Sequence, residues 1–154
     1  MTNYAGNLVC GKSRRYGIVV SRWNDFFTEK MLGAAVDTLV RHGAEEKNIH
    51  VVRVPGAWEL PLAVQKLLQS GKVDGVAALG CLIRGSTPHF DYISSEVTKG
   101  LGKLSLDTGL PVTYGVITVE NLDQAIERAG SKAGNKGGEA ALSLIEMVEL
   151  CEQF

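Results

Sequence analysis

Four short apolar runs stand out along the chain: Gly17 to Val20, Ile49 to Val54, Val73 to Ile83 and Val112 to Val119. They are rich in β-branched residues and nearly free of polar alternation. That pattern predicts strands buried on both faces, as in a parallel sheet. Between the runs, apolar positions recur at helical spacing. Asn24 or Asp25 can cap a helix that carries Phe27, Met31, Ala35 and Leu39 on one row, with Leu32, Val36 and Val40 beside it and Gly43 as its stop. A second helix is predicted from about Trp58 to Gln69, with Leu60, Val64, Leu67 and Leu68 apolar and Gly71 behind it. A third starts near Pro88 and ends before Gly109, and a fourth covers roughly Leu122 to Arg128 and ends at Gly130. A fifth runs from about Gly138 to Glu152, with Ala141, Leu144, Ile145 and Val148 facing inward. Alternating strands and helices predict an α/β fold whose largely parallel sheet is joined by right-handed crossovers. The first sixteen residues fit neither period and read as an arm; no linker, repeat or low-complexity tract divides the rest.

Parallel sheets take their ligands at the carboxyl ends of the strands, so the loops there come next. The first run is followed by Ser21-Arg22-Trp23-Asn24, the second by Pro55-Gly56-Ala57-Trp58-Glu59, and the third by Arg84-Gly85-Ser86-Thr87-Pro88-His89. All three loops leave on one edge, where Trp23, Trp58, Glu59, Ser86, Thr87 and His89 can converge. Trp23 and Trp58 are the only tryptophans in the chain, and an aromatic face at such an edge can stack on a flat ring. Glu59 suits a helix start and can accept hydrogen bonds from ring N–H groups. In the third loop Gly85 permits a sharp turn, Ser86 or Thr87 can cap the next helix, and Pro88 suits its first turn. Free N–H groups at that helix start favour an anion such as phosphate. His89, directly beside it, can move protons near neutral pH.

Each of these residues also has a plainer reading. His89 can be a solvated residue at a helix start, the tryptophans can anchor a core, and Ser86 and Thr87 can serve only as caps. Glu59 and Arg128 both complement helix dipoles without any ligand, and Tyr114, inside the fourth run, fits a core position. Lys132 to Gly138 reads as a flexible basic loop. Two sharper motifs fail. Gly80-x-x-x-x-Gly85-Ser86-Thr87 approaches a nucleotide phosphate loop, but Ser86 stands where its lysine belongs and Leu82-Ile83 are too apolar for an exposed loop. Cys81 and His89 do not make a nucleophile–base pair, because Cys81 lies in an apolar run and no orienting acid is evident.

Composition narrows the classes further. A chain of 154 residues with a net charge of −1 reads as one domain, and its bulk electrostatics favour neither nucleic acid nor an anionic membrane. Cys10, Cys81 and Cys151 are isolated, without the spacing of a zinc site or a disulfide framework, and an odd, dispersed set fits a reducing cytoplasm. Met1 to Gly11 lacks a basic region followed by an apolar core, so no signal peptide is expected, and Val76 to Ile83 is too short to span a bilayer.

Three stretches taken together resemble one family. Val54-Pro55-Gly56-Ala57-Trp58-Glu59-Leu60-Pro61, Leu79-Gly80-Cys81-Leu82-Ile83-Arg84-Gly85-Ser86-Thr87-Pro88-His89-Phe90-Asp91-Tyr92, and Ala125 to Gly137 closely resemble the lumazine synthases, in the family's order and over essentially the full length. The resemblance implies a flavodoxin-like three-layer sandwich with a central, largely parallel four-stranded sheet flanked by helices. It implies condensation of 5-amino-6-(D-ribitylamino)uracil with 3,4-dihydroxy-2-butanone 4-phosphate to 6,7-dimethyl-8-ribityllumazine, phosphate and water, the penultimate step of riboflavin biosynthesis, with no cofactor and no metal. It also implies pentamers with the active site between neighbours, stacked in many members into an icosahedral shell, and riboflavin synthase as a possible partner.

By position, the resemblance assigns His89 to proton transfer and Trp23 to stacking on the pyrimidine, where the family more often has Phe. Ala57, Trp58 and Glu59 would line the ring and ribityl site, and Cys81, Leu82 and Ile83 would meet the ring through backbone groups. Ser86, Thr87 and Arg128 would hold the phosphate, with Lys136 near it, and Tyr114 would come from the adjacent subunit in place of a usual Phe. The uninterrupted Gly130 to Gly138 link resembles the shell-forming members. Two competing classes share parts of this pattern: a non-catalytic shell-forming or flavin-binding protein on the same scaffold, and a generic phosphosugar-binding α/β enzyme. Intact His89, Arg128 and the Gly-Ser-Thr turn weigh against the first, and the two tryptophans with Glu59 against the second.

Overall fold

A computed structural model describes residues 1–154. Two layers of helices sandwich one sheet whose four strands all run the same way, a flavodoxin-like α/β arrangement. In chain order the elements are β1 (Tyr16–Ser21), α1 (Asp25–Arg41), β2 (Ile49–Val54), α2 (Leu60–Gln69), β3 (Gly75–Ile83), α3 (His89–Thr108), β4 (Val112–Val119), α4 (Leu122–Gly130) and α5 (Lys136–Cys151). Short 3-10 turns, Glu46–Asn48 and Ala57–Glu59, lead into β2 and α2. The spatial order is β2-β1-β3-β4. Ile18 pairs with Val51 on one side and Ala77 on the other, and Gly80 of β3 pairs with Val116.

The central strands meet the expectation of two buried faces: every residue of β1 is buried, as are the first seven of β3. The outer strands do not. Val51 and Arg53 of β2 and Tyr114 and Thr118 of β4 are exposed, because an edge strand has a neighbour on one side only. On one face, Met31, Ala35 and Leu39 of α1, Ala125 and Ala129 of α4, and Ala141, Leu144 and Ile145 of α5 cover Ile18, Val20 and Leu79. On the other, Leu60, Val64 and Leu68 of α2 and Val97, Leu101 and Leu104 of α3 cover Val19, Val76 and Ala78. The predicted inward rows of the first and fifth helices are therefore the buried ones, except that Val36 is only half-buried and Val40 is exposed at the end of α1.

Helix ends follow local chemistry. Gly109 closes α3 at φ 67°, a left-handed position that costs glycine nothing. Asn135 accepts from the N–H groups of Gly137 and Gly138 and so starts α5 two residues earlier than its apolar period suggests. Before β1, the chain is tied down by the Cys10 N–H to the His42 carbonyl at 2.8 Å and by the Arg14–Glu149 and Arg15–Asp74 ion pairs at 3.1 and 2.7 Å. The Tyr4 and Phe154 rings sit 5.0 Å apart. No helix is long and apolar enough to cross a membrane.

This topology fixes where a ligand can enter. α1 leaves β1 for one face of the sheet and α3 leaves β3 for the other. The carboxyl ends of these adjacent strands thus diverge into a crevice, the switch point at which open α/β sheets bind ligands.

Candidate active site

The crevice is lined by the loops after β1, β2 and β3. Their backbones are coupled: the N–H groups of Arg22 and Trp23 donate to the carbonyls of Val54 and Pro55 at 2.8 and 2.9 Å, continuing the β1–β2 pairing beyond the strands. Asn24 then adopts φ 63°, the only non-glycine residue at positive φ. Asn tolerates this region better than most residues, and its side-chain amide donates to the Cys81 carbonyl at 2.8 Å. The expected capping role of Asn24 is thereby corrected. Its side chain makes no cap bond to α1 and instead ties the first loop to β3.

Trp23 is 65% exposed and Trp58 55% exposed, so neither anchors the core. The Trp23 ring lies against Gly56, where an added Cβ would collide with Cε3 and Cζ3 of the indole. The Gly56 N–H in turn donates to Oε2 of Glu59 at 2.8 Å. Glu59 thus spends one carboxylate oxygen on fixing its own loop, and only the other faces no partner from this chain. Ala57 is buried beneath. Cys81 is 3% exposed and burial pushes its thiol up to about 12, so no thiolate forms near neutral pH. Leu82 and Ile83 are half-buried at the end of β3.

The third loop departs from expectation in its cap. Neither Ser86 nor Thr87 caps α3: Pro88 occupies the cap position and no side chain bonds to the helix start. Pro88 therefore precedes the helix rather than opening it, and His89 is its first residue. Both hydroxyls are exposed and unbonded within the chain, as are the N–H groups of Gly85, Ser86 and Thr87. These free donors lie just ahead of the N-terminus of α3, where an anion would be favoured. His89 is exposed beside it and makes no hydrogen bond.

The remaining candidates lie elsewhere. Tyr114, Arg128 and Lys136 line a groove of about 550 Å³ along the open edge of β4, together with Glu139, Ala140 and Ser143. Tyr114 is 44% exposed, against the core reading, and its hydroxyl shares a 2.8 Å hydrogen bond with Thr98 of α3. Arg128 has no ion-pair partner, whereas Lys136 is paired with Glu139. The groove contains none of Trp23, Ser86, Thr87 or His89, so the sequence-predicted residues fall into two separate groups on one chain. Glu139 escaped the sequence reading; the signal for it was its spacing of three from Lys136, which places the two on one face of α5.

An all-parallel sheet with an exposed tryptophan and free backbone donors at its switch point defines an α/β protein of the class that takes small molecules at its strand ends. The match to known proteins is more specific. Residues 13–152 fit the family described as 6,7-dimethyl-8-ribityllumazine synthase. A relative from Desulfatibacillum aliphaticivorans named 6,7-dimethyl-8-ribityllumazine synthase is 52% identical over 143 residues, covering 93% of this chain and 92% of that protein. The chain belongs to the 6,7-dimethyl-8-ribityllumazine synthase family, a family of transferases.

Proposed function

We propose that this protein makes 6,7-dimethyl-8-ribityllumazine from 5-amino-6-(D-ribitylamino)uracil and 3,4-dihydroxy-2-butanone 4-phosphate. The observation that carries the reading is that an exposed Trp23 and an uncapped Gly85-Ser86-Thr87 turn before His89 follow the adjacent strands β1 and β3. A flat pyrimidine needs the first and a phosphorylated ketone the second.

Trp23 stacks on the pyrimidine, with Ala57, Trp58 and the free oxygen of Glu59 along its ring and ribityl chain, and with the backbone of Cys81, Leu82 and Ile83 below. Ser86, Thr87 and their N–H groups hold the phosphate. The pyrimidine amine attacks the ketone carbonyl and loses water to form an imine. Loss of the proton at C3 then expels phosphate and leaves an enol, which tautomerises to a ketone at C3; attack of the ribityl nitrogen on that ketone closes the ring with loss of a second water. Each step moves a proton, and His89 lies where it can carry one. Holding two reactants in register accounts for much of the acceleration.

Arg128, Lys136 and Tyr114 complete the site from a neighbouring copy, whose β4 groove faces the sheet edge. Arg128, unpaired in its own chain, supplies charge-assisted hydrogen bonds to the phosphate. A pentamer, built further into an icosahedral shell, provides that geometry. Free cysteines at positions 10, 81 and 151 suit the cytoplasm, and riboflavin synthase is the natural consumer of the product.

The test is to incubate purified protein with both substrates, and with each alone, and identify the product by its lumazine fluorescence and mass. Product formed above the uncatalysed rate only when both are present supports the reading. Tryptophan quenching by the pyrimidine without turnover would shift it to a non-catalytic binding protein.

A further inference from the structure

The loop that forms the anion turn has almost nothing of its own to hold it. No hydrogen bond in the chain involves Gly85, Ser86 or Thr87, and an added Cβ at Gly85 would meet open space. Its two ends, however, are clasped by one side chain. The Arg84 N–H donates to the Val119 carbonyl at 2.9 Å, which fixes the start of the loop against β4. The Arg84 guanidinium then reaches in two directions: Nε donates to Glu120 at 2.7 Å, just past β4, and Nη1 to Asp91 at 3.0 Å, in the first turn of α3. Its Cζ lies 4.4 Å from the centre of the Phe90 ring. Asp91 and Phe90 directly follow His89.

We infer that Arg84 is a positioning residue that fixes the anion turn and His89 for the reaction proposed above, and that it does not itself hold the anion. Three elements meet at its guanidinium: the end of β3, the end of β4 and the start of α3. Two of its nitrogens are already committed, and the cluster of one guanidinium and two carboxylates carries excess negative charge, which repels phosphate. The planar fork suits this bridging, since lysine can neither span two carboxylates in fixed geometry nor stack flat on Phe90. Exposed ion pairs add little to stability, so the contribution of Arg84 lies in geometry. Geometry matters strongly here, because small displacements at a reacting site carry large rate costs.

The two roles differ in sign when the carboxylates are neutralised. A phosphate-ligating Arg84 would be freed by Asp91→Asn and Glu120→Gln, and loss of negative charge would tighten phosphate binding. A positioning Arg84 would lose its anchors. Steady-state kinetics of Asp91→Asn, Glu120→Gln and Arg84→Gln are therefore compared with wild type, with inorganic phosphate as a competitive inhibitor. Expected are a KM for the phosphorylated ketone and a phosphate inhibition constant raised on the order of tenfold, with an unchanged KM for the pyrimidine and an unchanged melting temperature. Arg84→Lys should recover only part of the loss. Unchanged or lowered values in Asp91→Asn and Glu120→Gln overturn the inference, as does a parallel rise in both KM values. Lack of turnover by the wild type would instead strike at the proposed reaction itself, and phosphate dissociation constants of the same variants, measured directly by calorimetry, would still decide the role of Arg84.

Discussion

A methyl group at Gly56 would fall on the Trp23 ring, so Gly56→Ala is expected to tilt the indole away from its stacking plane. Its KM for the pyrimidine should rise about tenfold while that for the phosphorylated ketone stays put; equal values for both would detach Trp23 from ring binding. His89→Ala is expected to lower kcat on the order of a hundredfold without abolishing turnover, because approximation of the substrates persists. An unchanged kcat would remove His89 from the chemistry. Trp23 and His89 were legible in the sequence because each follows an apolar run within a few residues, where a bulky aromatic or a histidine serves no turn. Arg84 and Asn24 were not legible in their roles. Their partners, Glu120 and Cys81, lie 36 and 57 positions away, and only the sheet brings them together.

Among the elements, β1 and β3 read most clearly, since a strand buried on both faces leaves a continuous apolar run. The edge strands were over-read as buried, and the start of α3 was misread in its cap, because Ser86-Thr87-Pro88 satisfies the local rules for capping while the backbone turns away from them. The left-handed Asn24 that joins β1 to α1 is a testable element of the same kind. Asn24→Ala loses a hydrogen bond and keeps the backbone strain, and should cost about 2 kcal/mol. Asn24→Gly loses the bond but relieves the strain, and should cost about 1 kcal/mol less. Denaturant unfolding separates them; equal losses would mean that positive φ stores no strain here. Removing core volume in α5 by Leu144→Ala, fully buried, should cost about 3 kcal/mol.

Over the whole molecule, ion pairs join the segment before β1 to the body. Partial burial opposes ionisation of Asp74, but its bonds to Arg15 outweigh that and hold its carboxyl below the ordinary 3.8. A lowered folded value means that this stability is present above pH 3.8 and is lost as the pH falls through the folded value. Asp74→Asn should therefore melt below wild type at pH 7, with the gap closing as the pH falls below 3.8 and through the folded value; a gap that persists in strong acid would place its origin outside the charge. The largest consequence of the fold is that Trp23, Ser86, Thr87 and His89 lie at the sheet edge while Arg128 and Lys136 lie in the β4 groove. The sequence alone could not separate these groups, since both belong to loops and helix ends of one chain. The direct measurement is to coproduce His89→Ala and Arg128→Ala chains and assay the mixed assemblies at low phosphorylated ketone. If two copies share each site, about a quarter of the sites are intact in both halves, and the rate should rise well above that of either variant alone. A rate no higher than the variants' own would mean that each chain works alone, contrary to a site built from two copies.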